Sequence, residues 1–151
     1  MPRDVNKILI VRLGAMGDIV HTLPAVASLR QSFPSARLTW VVEPKWAPLL
    51  EGSGIADQLV LFHRDRPATW NRTRRELRAV RFDLAVDFQG LVKSALVAHF
   101  AAPERIVGFA PGVVRERPAS WFYSTCVATQ SVHVVAQALD LATGAGAEKL
   151  V

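Results

Sequence analysis

KILIVRLGAMGD, residues 7–18, joins a run of aliphatic residues to a turn that contains two glycines. Residues 8–11 are apolar without alternation, which predicts that a strand over residues 7–12 is buried on both faces of a parallel sheet. Gly14 and Gly17 permit a tight turn and a close approach of the backbone to a ligand. The junction therefore predicts the opening strand and the first ligand-binding loop of an α/β fold.

The order of strand, turn and helix repeats along the rest of the chain. Apolar residues at helical spacing follow the first turn as far as Phe33, and Pro24 inside that helix predicts a kink or a restart near Thr22. Further strands are predicted at 37–42, 58–62, 82–88 and 105–109, and further helices at 46–50, 69–80, 91–100 and 132–141. Strands that alternate with helices predict an α/β fold with a doubly wound parallel sheet, which is a Rossmann-like domain.

The length of 151 residues suits one domain. Residues 144–151 begin with alternating glycine and alanine, a composition that is typical of a linker. We therefore expect a Rossmann-like domain over residues 1–143 and the start of an interdomain linker over residues 144–151.

Composition restricts the class of protein. Hydrophobic residues make up 50% of the chain and charged residues 21%, which is typical of a globular protein and excludes a disordered one. No apolar run approaches the roughly 20 residues that span a bilayer. The aliphatic run of the first strand is also too short for a secretory signal. We therefore expect a cytoplasmic location.

Cysteine and histidine give no sign of a metal site. Cys126 is the only cysteine, so it cannot form a disulfide within the chain, and we expect it to be buried as a small apolar residue. The histidines show no metal-ligand spacing. We therefore expect neither a metal nor another cofactor.

Positive charge is concentrated between Arg64 and Arg81. Seven arginines against two acidic residues leave an excess of five positive charges there, which equals the formal net charge of +5 for the whole chain. The segment is either a solvated helix face or a surface that binds anions, because guanidinium groups suit phosphate and carboxylate. Nucleic acid is not an expected partner, since the sequence contains no helix-turn-helix or RNA-binding sheet motif.

Polar residues gather at the carboxyl ends of the predicted strands, where doubly wound folds bind ligands. Asp18 stands at the start of the first helix, where it is either a helix cap or a carboxylate that accepts a proton from a hydroxyl. Residues 87–94, DFQGLVKS, place further polar groups at a second junction of strand and helix. Residues 115–123 form a third loop at this edge, in which charged residues precede aromatic ones.

Three segments together resemble a known family. They are residues 8–25, ILIVRLGAMGDIVHTLPA, residues 40–43, WVVE, and residues 87–95, DFQGLVKSA. In this order they resemble glycosyltransferase family 9, in particular its lipopolysaccharide heptosyltransferase I members. The resemblance extends from about residue 7 to residue 141.

The resemblance implies an enzyme with the GT-B fold, in which two Rossmann-like domains face a cleft. Such an enzyme transfers L-glycero-D-manno-heptose from an ADP-heptose donor to a Kdo residue of lipid A, with inversion at the anomeric carbon. The resemblance also implies that residues 1–143 bind the acceptor and that the donor-binding domain is absent from this sequence. We therefore expect the chain to be inactive by itself.

Residue roles follow from the same resemblance. Asp18 matches the general base that deprotonates the acceptor hydroxyl. The arginine-rich segment would meet the acidic acceptor and dock the protein on the anionic inner face of the inner membrane. The residues that the resemblance implies in substrate binding are Gly14, Gly17, Arg64, Arg66, Gln89, Lys93, Ser94 and Arg115.

Departures from the family pattern leave two other functions open. Gly14 and Ala15 replace serine or threonine in the first turn, and an acid–base pair is missing from the last helix. One alternative is a non-catalytic domain that binds an acceptor or a nucleotide. The other is a fragment of a nicotinamide-dependent oxidoreductase, in which the glycine turn holds the dinucleotide and Glu43 its ribose, although Arg12 replaces the first glycine of that motif.

Overall fold

The computed structural model describes residues 5–148 of the chain. In that range it contains the strands β1 (Lys7–Val11), β2 (Arg37–Val42), β3 (Gln58–Leu61), β4 (Leu84–Asp87), β5 (Ile106–Phe109) and β6 (Thr125–Val127). The helices are α1 (Met16–Ser32), α2 (Ala47–Glu51), α3 (Trp70–Arg78), α4 (Val92–Phe100) and α5 (Val134–Gly144). Two 3₁₀ turns, Pro67–Thr69 and Arg117–Phe122, complete the regular structure of this range.

The strands form one parallel sheet in the order β3-β2-β1-β4-β5-β6. The chain moves outward from β1 to β3, crosses back through α3, and moves outward again from β4 to β6. The direction of winding therefore changes between β1 and β4, and the carboxyl ends of these two strands are where such a sheet binds ligands. The predicted doubly wound, Rossmann-like fold is confirmed.

Strand β1 anchors a helix layer on each face of the sheet. Ile8 and Ile10 pack with the apolar residues of α1 and α5, whereas Leu9 and Val11 pack with those of α3 and α4. All four side chains are fully buried. Burial of an aliphatic side chain stabilises a fold by about 1.5–3 kcal/mol, so the unbroken apolar run of this strand holds both layers in place.

Helix α1 runs without interruption through Pro24, so the predicted restart near Thr22 is not observed. A proline removes the amide that would bond the carbonyl four residues earlier, which here belongs to Val20. Val20 is 49% exposed, so this carbonyl belongs to the solvent-facing side of the helix. The buried face of the helix, which includes Ile19 and Val26, keeps it packed on the sheet.

Strand β6 lies in a segment that the sequence pattern predicts to be a loop. It has three residues and pairs with β5 at the edge of the sheet. The expectation that Cys126 is buried is wrong, because its side chain is exposed in the middle of this strand. An edge strand that the domain covers incompletely leaves side chains in solvent, and a run of three residues is too short to show a pattern.

The chain packs against the domain beyond the end of α5. Ala145 and Ala147 are buried, and Gly146 between them has a φ of +116°, which favours glycine. Packed residues therefore lie on both sides of the predicted boundary at residue 143. The division into domain and linker stays a prediction, and residues 149–151 of the predicted linker lie outside the described range.

The carboxylate of Asp57 ties the start of β3 to β2 and α1. Its Oδ2 accepts hydrogen bonds from the Leu38 amide at 2.8 Å and from Arg30 Nη2 at 2.9 Å. The Leu38 amide, with a smaller contribution from the Arg30 guanidinium, lowers the pKa of Asp57 below its usual value. The charged form of Asp57 therefore stabilises the folded chain.

Asp57→Asn is expected to lower the free energy of unfolding near neutral pH by about 1 kcal/mol, after allowance for solvent screening of this partly exposed group. Because the pKa of Asp57 is lower in the folded chain than its ordinary value of 3.8, its charged form stabilises the fold at pH values above 3.8. This stabilisation is lost as the pH falls through the pKa of Asp57 in the folded chain. Urea denaturation of both chains, near neutral pH and well below 3.8, checks this result. The prediction would be contradicted if the unchanged chain and Asp57→Asn differed in unfolding free energy by the same amount at both pH values.

Candidate functional site

A crevice opens at the carboxyl edge of the sheet, where the loops after β1, β4 and β5 meet helices α1 and α5. Its volume is about 80 Å³. It lies at the change of winding direction, the position at which doubly wound folds bind ligands. The polar and charged residues that line it are Arg12, Asp18, His21, Thr22, Gln89, Arg115 and Gln137.

Asp18 lies in the first turn of α1 and lines the crevice. Ala15 occupies the cap position, so the interpretation of Asp18 as the cap itself is not what the structure shows. Asp18 Oδ1 pairs with Arg12 Nη2 at 3.1 Å, and Oδ2 accepts a hydrogen bond from the Ala15 amide at 3.4 Å. The side chain remains 29% exposed. A carboxylate in a first turn is also favoured by the helix dipole, so Asp18 offers a negative charge to the crevice.

Arg12 lines the crevice, and the sequence pattern did not predict it as a site residue. Its Nη1 donates to the Phe88 carbonyl at 2.6 Å, and its backbone carbonyl accepts a hydrogen bond from Trp40 Nε1 at 3.0 Å. Burial lowers the pKa of the Arg12 guanidinium, and the Asp18 carboxylate opposes that shift. The signal in the sequence was a cation directly after a buried aliphatic run, where a charge needs a partner.

The loop after β4 is shaped by Asp87, which is fully buried. Its Oδ1 accepts hydrogen bonds from the amides of Gln89 and Gly90, and its Oδ2 accepts from the hydroxyls of Ser94 and Tyr123. Burial raises the pKa of the Asp87 carboxyl, with the Tyr123 hydroxyl as the largest opposing influence. Burial and the neighbouring Asp87 also raise the pKa of Tyr123, so its hydroxyl stays a donor.

The three predicted ligand-binding residues of residues 87–94 occupy different environments. Gln89 lines the crevice, and its Oε1 is buried without a hydrogen-bond partner within residues 5–148. Ser94 is fully buried and accepts a hydrogen bond from the Leu91 amide at 3.0 Å. It therefore does not line the cleft, where the sequence pattern predicted it. Lys93 is exposed on α4 and is not part of the crevice wall. Ser94 turns inward because it completes the bonding of Asp87 and of the helix start.

The predicted arginines divide into two groups. Arg115 is exposed and lines the crevice together with Asp18. Arg64 and Arg66 follow β3 at the same edge of the sheet but outside the crevice wall. Arg64 Nη1 lies 3.9 Å from Glu43 Oε1, so the carboxylate that could bind a ribose is already close to a cation.

The two glycines of the first turn have different surroundings. A Cβ added to Gly14 would lie 2.7 Å from Trp46 Nε1, so this position needs glycine for the packing of Trp46. A Cβ added to Gly17 would meet no atom within 4 Å. The structure thus explains Gly14 by packing, and a ligand-binding role of either glycine stays a prediction.

A second cavity, of about 680 Å³, lies at the opposite edge of the sheet. Arg78, Arg81, Asp83 and Glu104 contribute charges of both signs to its wall. Within residues 5–148 no group of three or more histidine, cysteine or acidic residues could hold a metal ion. The helices of the same range include none that is long and apolar enough to span a bilayer.

Comparison with known proteins shows a consistent relationship. Residues 70–149 match the sequence model of Glycosyltransferase family 9 (heptosyltransferase). The chain is 30% identical to lipopolysaccharide heptosyltransferase 1 of Pseudomonas aeruginosa, over 78% of this chain and 36% of the relative. It is 34% identical to the enzyme of the same name from Salmonella typhimurium, over 78% of this chain and 40% of the relative.

Solved structures show the same relationship in three dimensions. The E. coli heptosyltransferase WaaC with ADP superposes with a TM-score of 0.84 and 30% identity, over 96% of this chain and 48% of that one. The same enzyme with ADP-2-deoxy-2-fluoro heptose superposes with a TM-score of 0.82 and 29% identity, over 96% of this chain and 50% of that one. The chain therefore spans half or less of the length of the relatives that it matches.

Proposed function

The chain belongs to glycosyltransferase family 9, and we propose that it forms the acceptor-binding half of a heptosyltransferase with the GT-B fold. The reaction that we assign to the complete enzyme transfers L-glycero-D-manno-heptose from ADP-heptose to a Kdo residue of lipid A. The crevice at the change of winding direction supports this proposal most strongly, because Asp18 and Arg115 both line it. Its polar lining suits a hydroxylated, acidic acceptor.

Asp18 has the chemistry required of the general base. Its partly exposed carboxylate can accept the proton of an acceptor hydroxyl as that oxygen attacks the anomeric carbon. The new bond joins the acceptor oxygen to the anomeric carbon, and the bond from that carbon to the ADP oxygen breaks with its electrons on the leaving group. Attack on the face opposite the leaving ADP inverts the configuration at that carbon.

Arg115 and Gln89 supply the recognition that this acceptor needs. The exposed Arg115 guanidinium can pair with the carboxylate of Kdo, for which its planar fork is well matched. Gln89 lines the crevice and its Oε1 has no hydrogen-bond partner within the described residues, so a small turn of the side-chain amide would present that oxygen to a sugar hydroxyl. A buried polar atom without a partner costs roughly 1–3 kcal/mol, so an acceptor hydroxyl that satisfied it would gain affinity.

Transfer itself tests the proposal. The chain is mixed with the part of E. coli WaaC that it does not match, and heptose transfer from ADP-heptose to a soluble Kdo acceptor is followed by mass spectrometry. The two halves of WaaC, recombined in the same way, provide the positive control. Product formation supports the proposal, whereas acceptor binding without product would favour a non-catalytic binding domain. Tight binding of NADH by the chain would instead favour the oxidoreductase alternative.

The proposal includes a peripheral position at the cytoplasmic face of the inner membrane. Helix α3 exposes Arg72, Arg74, Arg75 and Arg78. Each basic residue close to an anionic membrane surface contributes about 1 kcal/mol to binding. The face of α3 is therefore the surface that we expect to approach the membrane.

The chain is expected to co-sediment with vesicles that contain phosphatidylglycerol and to remain in solution with pure phosphatidylcholine vesicles. The triple substitution Arg72→Gln, Arg74→Gln and Arg75→Gln should weaken binding to the anionic vesicles by about 10²-fold, which corresponds to about 3 kcal/mol. Arg37→Gln, at the start of β2 and away from α3, is the control and should bind as the unchanged chain does. Equal binding to both kinds of vesicle would contradict the prediction.

A further inference from the structure

Arg12 is a buried cation at the end of the central strand. The residue is 8% exposed, and burial of a charge is costly unless hydrogen bonds and an opposite charge compensate for it. It lies between the first turn of α1, which contributes Asp18 to the crevice, and the loop after β4, which contributes Gln89. Packing alone therefore does not explain why a cation occupies this position.

The guanidinium of Arg12 joins that turn of α1 to that loop. Its Nη1 donates to the Phe88 carbonyl at 2.6 Å, and its Nη2 pairs with Asp18 Oδ1 at 3.1 Å. The hydrogen bond from Trp40 to the Arg12 carbonyl fixes the backbone from which this side chain extends. Because a guanidinium is planar and rigid, anchoring one nitrogen on Phe88 sets the direction from which the other meets Asp18.

The two oxygens of Asp18 are held unequally. Oδ1 is committed to Arg12 at 3.1 Å, whereas Oδ2 accepts a longer hydrogen bond, of 3.4 Å, from the Ala15 amide. The more weakly held Oδ2 is therefore the oxygen better able to accept a proton from a ligand. Arg12 therefore determines which of the two oxygens remains available to a ligand, because it binds Oδ1.

We infer that Arg12 is a positioning residue for Asp18: it fixes the carboxylate so that Oδ2 faces the acceptor hydroxyl. The inference rests on the proposed function, since it assigns Arg12 a part in the proton transfer by Asp18. Arg12 touches no reacting atom and acts through the orientation of its partner.

Loss of the cation should reduce turnover more than acceptor binding. Arg12→Met keeps the length of the side chain and removes its charge and donors. A misplacement of a catalytic group by about 1 Å can cost about 10²-fold in rate, so we expect kcat to fall by about that factor. KM for the acceptor should change by less than about 3-fold, because the interaction lost acts on the base and not on the sugar.

A double-mutant cycle in the transfer reaction tests this role. Arg12→Met should lower the rate of the unchanged enzyme but have no further effect in an Asp18→Asn background, because Arg12 acts through that carboxylate. Arg12→Lys, which restores the charge and a donor, should be about tenfold faster than Arg12→Met. Arg37→Met is the matched control. A merely structural role of Arg12 would instead give equal losses in both backgrounds and would overturn the inference.

A measurement on the chain alone keeps the inference testable without turnover. In a chain labelled at the aspartate carboxyl carbons, Arg12→Met should shift the Asp18 carboxyl resonance, leave those of Asp57 and Asp140 in place, and be largely reversed in Arg12→Lys. An unmoved Asp18 resonance would overturn the inference whatever the transfer reaction shows. Full transfer by Asp18→Asn would refute the proposed base, whereas loss of transfer in Asp18→Asn but not in Arg12→Met would refute the positioning role alone.

Discussion

Asp18→Asn is expected to lower the rate of heptose transfer by about 10²–10⁴-fold, the usual contribution of a general base. Asparagine has nearly the same shape, and its carbonyl oxygen can still accept the hydrogen bond that Arg12 gives to Oδ1. It cannot accept a proton from the acceptor hydroxyl. The substitution therefore removes the proton transfer while it preserves the crevice.

The comparison with Asp57→Asn separates chemistry from stability. Asp57 lies at the amino edge of the sheet, before β3, and its loss should leave the transfer rate within about 2-fold of the unchanged enzyme while it affects unfolding. Acceptor binding by Asp18→Asn, measured by calorimetry, should stay within about 3-fold. An Asp18→Asn chain that retains the full rate would show that another group accepts the proton.

Gly108→Ala is expected to lower the free energy of unfolding by about 3 kcal/mol. A Cβ at this position in β5 would lie 2.1 Å from Cε2 and 2.3 Å from Cζ of the Tyr123 ring. Tyr123 is buried, and its hydroxyl donates to the buried Asp87. The ring cannot move aside without removing a hydrogen-bond donor from that carboxylate. The energetic cost of the steric strain therefore adds to the cost of the lost hydrogen bond.

Gly52→Ala is the matched control for Gly108→Ala. Gly52 has a φ of −84°, and a Cβ there would meet no atom within 4 Å, so the stability should change by less than about 0.5 kcal/mol. Urea denaturation followed by far-ultraviolet circular dichroism measures both variants. Coincident unfolding curves for Gly108→Ala and Gly52→Ala would contradict the packing described for Tyr123.

The fold could be predicted because its central elements carry strong local signals. The buried run of β1 and the alternation of strands with helices were sufficient for the doubly wound sheet. Strand β6 escaped prediction because three residues at a sheet edge give no periodic pattern. The uninterrupted course of α1 through Pro24 also escaped, because tertiary packing outweighed a local rule.

The candidate site was predictable where residues follow directly on a strand, and less so where contacts are distant in sequence. Asp18 and Arg115 were placed at one edge by topology, and the structure brings them to one crevice. The inward turn of Ser94 depends on Asp87, and the pairing of Arg12 with Phe88 spans 76 positions of the chain. Such contacts depend on the folded arrangement of several loops, which sequence spacing does not encode.

A crystal structure of the chain with a soluble Kdo disaccharide would show directly whether the crevice binds the acceptor. We expect the sugar in the crevice, with one hydroxyl oxygen about 2.6–3.2 Å from Asp18 Oδ2 and a carboxylate facing Arg115. A sugar bound elsewhere on the domain, with no polar atom near Asp18, would contradict it.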